Sequence, residues 1–121
     1  MGIGNYNALI IKACNAVRRN KGINVSFNSN SFYGVHKYSQ ENVYKLDLNI
    51  DNEIFTLYIE EYAFESWTYV PWSGREEFRP TNFESWPTSE QLFLAWCWAI
   101  YNYCKRWEIH HEGPTPPPLE E

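Results

Sequence analysis

The sequence predicts an α+β fold: an antiparallel sheet of three to five strands flanked by an N-terminal and a C-terminal helix. Three observations carry this. Apolar residues recur at helical spacing near both ends of the chain. Through its middle they alternate with polar ones at period two, as in strands with one buried face. The order is helix, strands, long loop, helix, which describes helices packed against a sheet. At 121 residues the chain fits one domain, 1–112, followed by an extended proline-rich tail, 113–121.

The first helix is predicted over 5–20. Tyr6, Leu9, Ile10, Ala13 and Val17 form one apolar stripe. Arg18, Arg19 and Lys21 crowd its end, where cations complement the helix dipole, and Gly22 supplies a stop. Those cations therefore have a structural explanation and do not make a nucleic-acid patch. Ile23, Val25 and Phe27 then alternate with Asn24, Ser26 and Asn28, giving a strand. Asn28-Ser29-Asn30-Ser31 is turn chemistry. Phe32 to Tyr38 reads as a weaker strand broken by Gly34. Tyr44, Leu46, Leu48 and Ile50 pair in a hairpin with Phe55, Leu57 and Ile59 around Asp51-Asn52-Glu53. Trp67 to Val70 offers a further strand, ended by Pro71.

From Pro71 to Pro87 the chain is irregular, with prolines at 71, 80 and 87 and Gly74 between them. That length exceeds a passive connection, and long loops on rigid scaffolds are where binding concentrates. Thr88 and Gln91 have capping-box spacing and open a helix from about Ser89 to Trp107. Its middle, Leu92 to Tyr101, is apolar on every side, so it is expected to be buried on more than one face. The sheet would cover one; a loop, the other helix or a second subunit would cover another, which leaves a symmetric homodimer open.

Composition narrows the function classes. Hydrophobic content of 44% and aromatic content of 18% argue against disorder. The apolar runs are too short to span a bilayer, and no signal-peptide pattern is present. Cys14, Cys97 and Cys104 make an odd set without close spacing, a poor disulfide framework. Reduced cysteines and a cytoplasmic location are expected. The net charge of −5 is split: residues 1–50 hold six Lys/Arg against two acids, and residues 51–121 hold four against thirteen. The acidic half argues against duplex DNA or an anionic membrane as its partner, because phosphate binding needs cations.

The stretch Trp86-Pro87-Thr88-Ser89-Glu90-Gln91-Leu92-Phe93-Leu94-Ala95-Trp96 resembles a motif of small bacteriophage accessory proteins of the "ABA sandwich" type. In that family a proline and a short polar cap precede a helix whose early turns are apolar and carry a tryptophan. Here the motif helix comes last, with no strand after it. The resemblance implies a small phage or prophage protein expressed in a host cytoplasm. That population includes acidic counter-defence proteins, among them anti-CRISPR proteins and proteins that sequester nucleotide signals. No functional residue carries over, because the matched positions read as structural.

Candidate chemistry is sparse. His110-His111, between Glu108 and Glu112, lacks the further ligands a closed metal site needs and reads as a solvated helix end. His36 reads as a strand side chain rather than a base. Glu60, Glu61 and Glu65 offer carboxylates for glycoside hydrolysis with tryptophans nearby, yet adjacent residues on an extended chain face apart. Gly2-Ile3-Gly4 lacks the third glycine and the preceding strand of a dinucleotide fingerprint. The three cysteines sit at apolar helical positions and read as small core residues. No catalytic set, cofactor or metal is indicated.

What remains is the segment from Glu60 to Trp86, with eight aromatic residues, six glutamates, Arg75 and Arg79. Trp67, Tyr69, Trp72, Arg75, Glu76, Glu77 and Arg79 are the expected partner-binding residues. The acids would steer a basic surface, such as that of a nucleic-acid-binding host protein, and the rings would anchor it. The alternative is a small-molecule binder that sequesters a nucleotide signal, with rings stacked on the base and Arg75 and Arg79 on its phosphates. A carbohydrate-active enzyme or sugar-binding module is a third, weaker reading. The structural alternative is that about half of these rings pack over the C-terminal helix, which needs cover.

Overall fold

The computed structural model describes residues 6–61, 88–110 and 115–120. Helix α1 spans Asn7–Lys21. Its expected stripe is its buried face, with Ile10, Ala13 and Val17 fully buried beside Cys14 and Ala16. Gly22 ends it in the left-handed conformation, φ 66°, and its N–H donates to the Arg18 carbonyl at 3.0 Å. Arg18 also ties the helix to the sheet. Its Nη1 donates to the Val25 carbonyl at 2.9 Å, while its Nη2 donates to Asn15 Oδ1.

Strands β1 (Val25–Val35), β2 (Asn42–Ile50) and β3 (Glu53–Glu60) form one antiparallel sheet in the order β1-β2-β3. The hairpin expected from sequence is the β2–β3 pair, with Leu46 opposite Leu57 and Leu48 opposite Phe55. Asp51 and Asn52 connect it, both at positive φ (52° and 68°). A two-residue connection with both residues left-handed matches the right-handed twist of the flanking strands. Asn and Asp are the side-chain-bearing residues that accept this conformation most readily.

The turn expected at Asn28–Ser31 is not a turn. β1 is one eleven-residue strand that runs through it and through Gly34. The register slips between Phe27 and Ser29 and again between Phe32 and Gly34, leaving Asn28 and Tyr33 as extra residues. Bulges of this kind shift the alternation without ending the strand. The polar side chains find partners there: Ser29 Oγ donates to Asp47 Oδ2 at 3.3 Å, and Asn30 Nδ2 donates to Asn7 Oδ1 at 3.1 Å.

Helix α2 spans Thr88–His110, three residues beyond the predicted end. Both helices cover the same face of the sheet. Leu46, Leu48, Ile50, Phe55, Leu57 and Ile59 of that face join α1 residues and Trp96, Cys97, Ile100, Cys104 and Trp107 of α2 in one core. Phe55 meets Trp107 with ring centroids 5.6 Å apart, and Tyr6 meets Trp96 edge-on at 6.4 Å. Each such side chain contributes roughly 1.5–3 kcal/mol when fully buried. The second cover expected for α2 is supplied in part by α1: Lys12 lies over the Phe93 ring and Lys21 over the Tyr101 ring. Among the described residues, no helix is long and apolar enough to cross a membrane.

The three cysteines are free and buried in this core. Burial pushes each thiol up to about 12, so none is a thiolate near neutral pH. The opposite sheet face is polar at its centre. Asp47 accepts from Ser29 on β1 and, at 2.7 Å, from Thr56 Oγ1 on β3. Tyr33 and Tyr58 pair on this face at 4.9 Å. The described part of the tail, 115–120, lies against the end of β1, where Leu119 bridges His36.

Candidate functional site

Trp67, Tyr69, Trp72, Arg75, Glu76, Glu77 and Arg79 lie outside the described residues, as does the expected strand Trp67–Val70. The described structure does show the ground from which that segment departs. It leaves β3 at Glu60 and Glu61, at the end of the sheet where the β1–β2 connection also sits.

The connection, residues 36–41, is organised by His36. Its backbone N–H donates to the Glu41 carbonyl at 2.8 Å, and its carbonyl accepts from Gln40 N–H at 3.1 Å. Gln40 is left-handed, φ 62°. The ring acts as well: Nδ1 accepts the N–H groups of Tyr38 (3.1 Å) and Ser39 (3.2 Å). A nitrogen accepting two N–H bonds carries no proton, so the neutral ring holds its proton on Nε2. That atom stands 3.4 Å from Glu60 Oε1. His36 is thus a side chain that shapes a turn just past the end of β1, rather than the strand side chain expected from sequence.

Glu60 pairs across the sheet with Val43, so Glu41, two residues before Val43, falls on the same face. The two carboxyl groups meet. A hydrogen bond from Glu41 is the main influence raising the Glu60 carboxyl above its ordinary value. Burial and the Glu41 charge push the same way, and His36 opposes them. Glu61 turns elsewhere and accepts from Asn42 Nδ2 at 3.1 Å. The neighbours Glu60 and Glu61 therefore face apart, as their adjacency implies. The convergent partner of Glu60 is Glu41, which no local spacing reveals. It follows only once the hairpin register and the β1–β2 connection are known.

Aromatic rings lie on the neighbouring part of β1 and in the connection. Phe32 packs edge-on against Tyr44 at 5.8 Å yet remains 58% exposed. Tyr38 is 74% exposed, with Lys37 Nζ 5.7 Å from its ring. The Tyr44 hydroxyl is raised by burial first and by the Glu61 charge second. The end of the sheet therefore presents three carboxylates and two solvent-facing rings, drawn from β1, the β1–β2 connection and the end of β3.

The chemistry open to this arrangement is limited. Of the carboxylates that the sequence offers for hydrolysis, Glu60 and Glu61 face apart and Glu65 lies outside the described residues. Among the described residues no group of three or more His, Cys, Asp and Glu side chains is arranged to hold a metal. His110 is the last residue of α2, and His111 lies outside the described residues. At the other end of the fold, a shallow groove of about 410 Å³ is lined by Gly22, Asn24, Asp51, Lys105, Trp107 and Glu108. It gathers two acids, one cation and an indole without a convergent polar set. Comparison with known protein families, with curated proteins and with solved structures finds no match.

Proposed function

We propose that this chain is a non-enzymatic binding protein that engages a basic protein surface, with the acidic end of the sheet and the aromatic segment that departs from it as the contact. One observation carries this reading: Glu41 and Glu60 converge at that end, Glu61 follows on the other face, and Phe32 and Tyr38 are exposed on β1 and its connection. Carboxylates steer a basic surface towards that end, and solvent-facing rings supply anchors for such a contact.

The same feature disfavours nucleotide sequestration. Phosphates approaching this end would meet three carboxylates, and the sequence of 62–87 adds four more glutamates against two arginines. The likeness of Trp86–Trp96 to phage accessory proteins supports a nucleic-acid-binding host protein as the partner, with inhibition or recruitment as the outcome. Capture from bacterial lysate by the immobilised full chain tests the reading. Retained proteins should be basic and nucleic-acid-binding, and should elute as salt rises, because screening weakens charge steering. Retention of acidic proteins only, or a retained set indifferent to salt, would sink it.

A further inference from the structure

The C-terminal segment is held by the end of β1 as a sheet edge holds a peptide. His36 and Leu119 face each other in an antiparallel bridge. Lys37 N–H donates to the Pro118 carbonyl and Glu120 N–H donates to the Val35 carbonyl, each at 2.9 Å. Between these bonds the Leu119 side chain lies against Gly34. A Cβ at position 34 would stand 2.6 Å from Leu119 Cδ1, 3.1 Å from Cδ2 and 3.3 Å from Cγ. Gly34 is not left-handed, so its backbone does not call for glycine. The leucine is what meets it: a side chain there would contest the notch that Leu119 occupies, and the leucine would have to shift.

The rest of the segment suits the same role. Pro116, Pro117 and Pro118 fix φ and favour an extended chain before it docks, which lowers the entropy lost on binding. Pro118 uses only its carbonyl, so its missing N–H costs nothing. The residue after leucine must have an N–H, which Glu120 provides. Main-chain bonds give affinity and a side-chain notch gives selectivity, the logic of adding a strand to a sheet edge.

We infer that the Gly34–Lys37 edge of β1 is a recognition site for an extended Pro-Leu-X peptide, X being any residue except proline, and that the chain's own tail fills it as a built-in competitor. The ligand it takes in trans is the same segment supplied separately. Tethering holds the tail at an effective concentration on the order of millimolar, so a free peptide competes poorly until the tail is weakened.

The test uses the full chain and a labelled peptide, Thr-Pro-Pro-Pro-Leu-Glu-Glu. Leu119 lies outside the core cluster, so Leu119→Ala loosens the tail without opening the core. The peptide should bind Leu119→Ala at least tenfold more tightly than the unaltered chain, with amide shifts at Gly34, Val35 and Lys37. A peptide with alanine in place of its leucine should lose that gain. A Leu119→Ala chain that binds no better, or whose shifts fall away from these residues, overturns the inference. Gly34→Val provides a second arm by blocking the notch from the receptor side. Hydrogen exchange at the Lys37 and Glu120 amides should quicken at least tenfold while Leu46 and Leu57 stay protected. Unchanged exchange at both amides would overturn it as well.

Discussion

His36 Nε2 stands 3.4 Å from Glu60 Oε1 while the opposite ring nitrogen, Nδ1, accepts the N–H groups of Tyr38 and Ser39. One imidazole therefore shapes the β1–β2 connection and faces the carboxyl that begins the acidic aromatic segment. His36→Ala should cost about 1 kcal/mol of stability, since the two backbone donors then turn to water. Urea unfolding would read this directly, and an unchanged midpoint would mean that the ring does not organise the turn.

Glu41 and Glu60 should weaken the fold slightly at neutral pH. The Glu60 carboxyl is raised by the Glu41 contact, so the folded chain holds a proton that the unfolded chain has already lost. Stability from this pair is present below the ordinary carboxylate range and is lost as pH rises through the raised value. Glu41→Gln should gain a few tenths of a kcal/mol at pH 7, the size of a like-charge pair, with the gain vanishing near pH 4. Paired denaturation curves at the two pH values would show it. A loss at pH 7 would contradict the repulsion.

Alkali should unfold the protein through its cysteines. Folding raises the thiols of Cys14, Cys97 and Cys104 from 9.0 to about 12. Between those values the unfolded chain releases protons that the folded chain keeps, so stability falls as pH rises. The slope is at most about 1.4 kcal/mol per pH unit for each thiol. Cys14→Ala should make the fall between pH 9 and pH 11 shallower. An equal fall in the variant would assign it to other groups.

The register of β3 makes neighbouring residues unequal. Phe55 is fully buried against Trp107, whereas Ile54 is 48% exposed on the opposite face. Phe55→Ala should cost about 3–5 kcal/mol, and Ile54→Ala at most about 0.5. Comparable losses at both positions in thermal or urea unfolding would mean that the pleat is misassigned.

The parts of the fold legible in the sequence are those whose signal is local. The Tyr44–Ile50 and Phe55–Ile59 alternation, Asp51-Asn52 between them, and Gly22 after a cationic helix end each carry their own physical reason. β1 was obscured because bulges at Asn28 and Tyr33 shift its period, and because its polar side chains are satisfied from distant residues, Asp47 and Asn7. The approach of Glu41 to Glu60 depends on register, and the partner of Leu119 is a glycine far along the chain, which leaves no mark in any sequence window. Glu60 belongs to the segment singled out by composition. The expected anchors Trp67, Tyr69 and Trp72 lie outside the described residues.

The central claim, an acidic and aromatic contact for a basic protein, is tested most directly by charge reversal in this chain, read out on binding to the captured partner. Glu76→Lys/Glu77→Lys in the full chain, compared with the unaltered chain by surface plasmon resonance at two salt concentrations, should lower the association rate at least tenfold at low salt and remove most of its salt dependence. An association rate unchanged by the reversal, with the same salt dependence, would contradict the account.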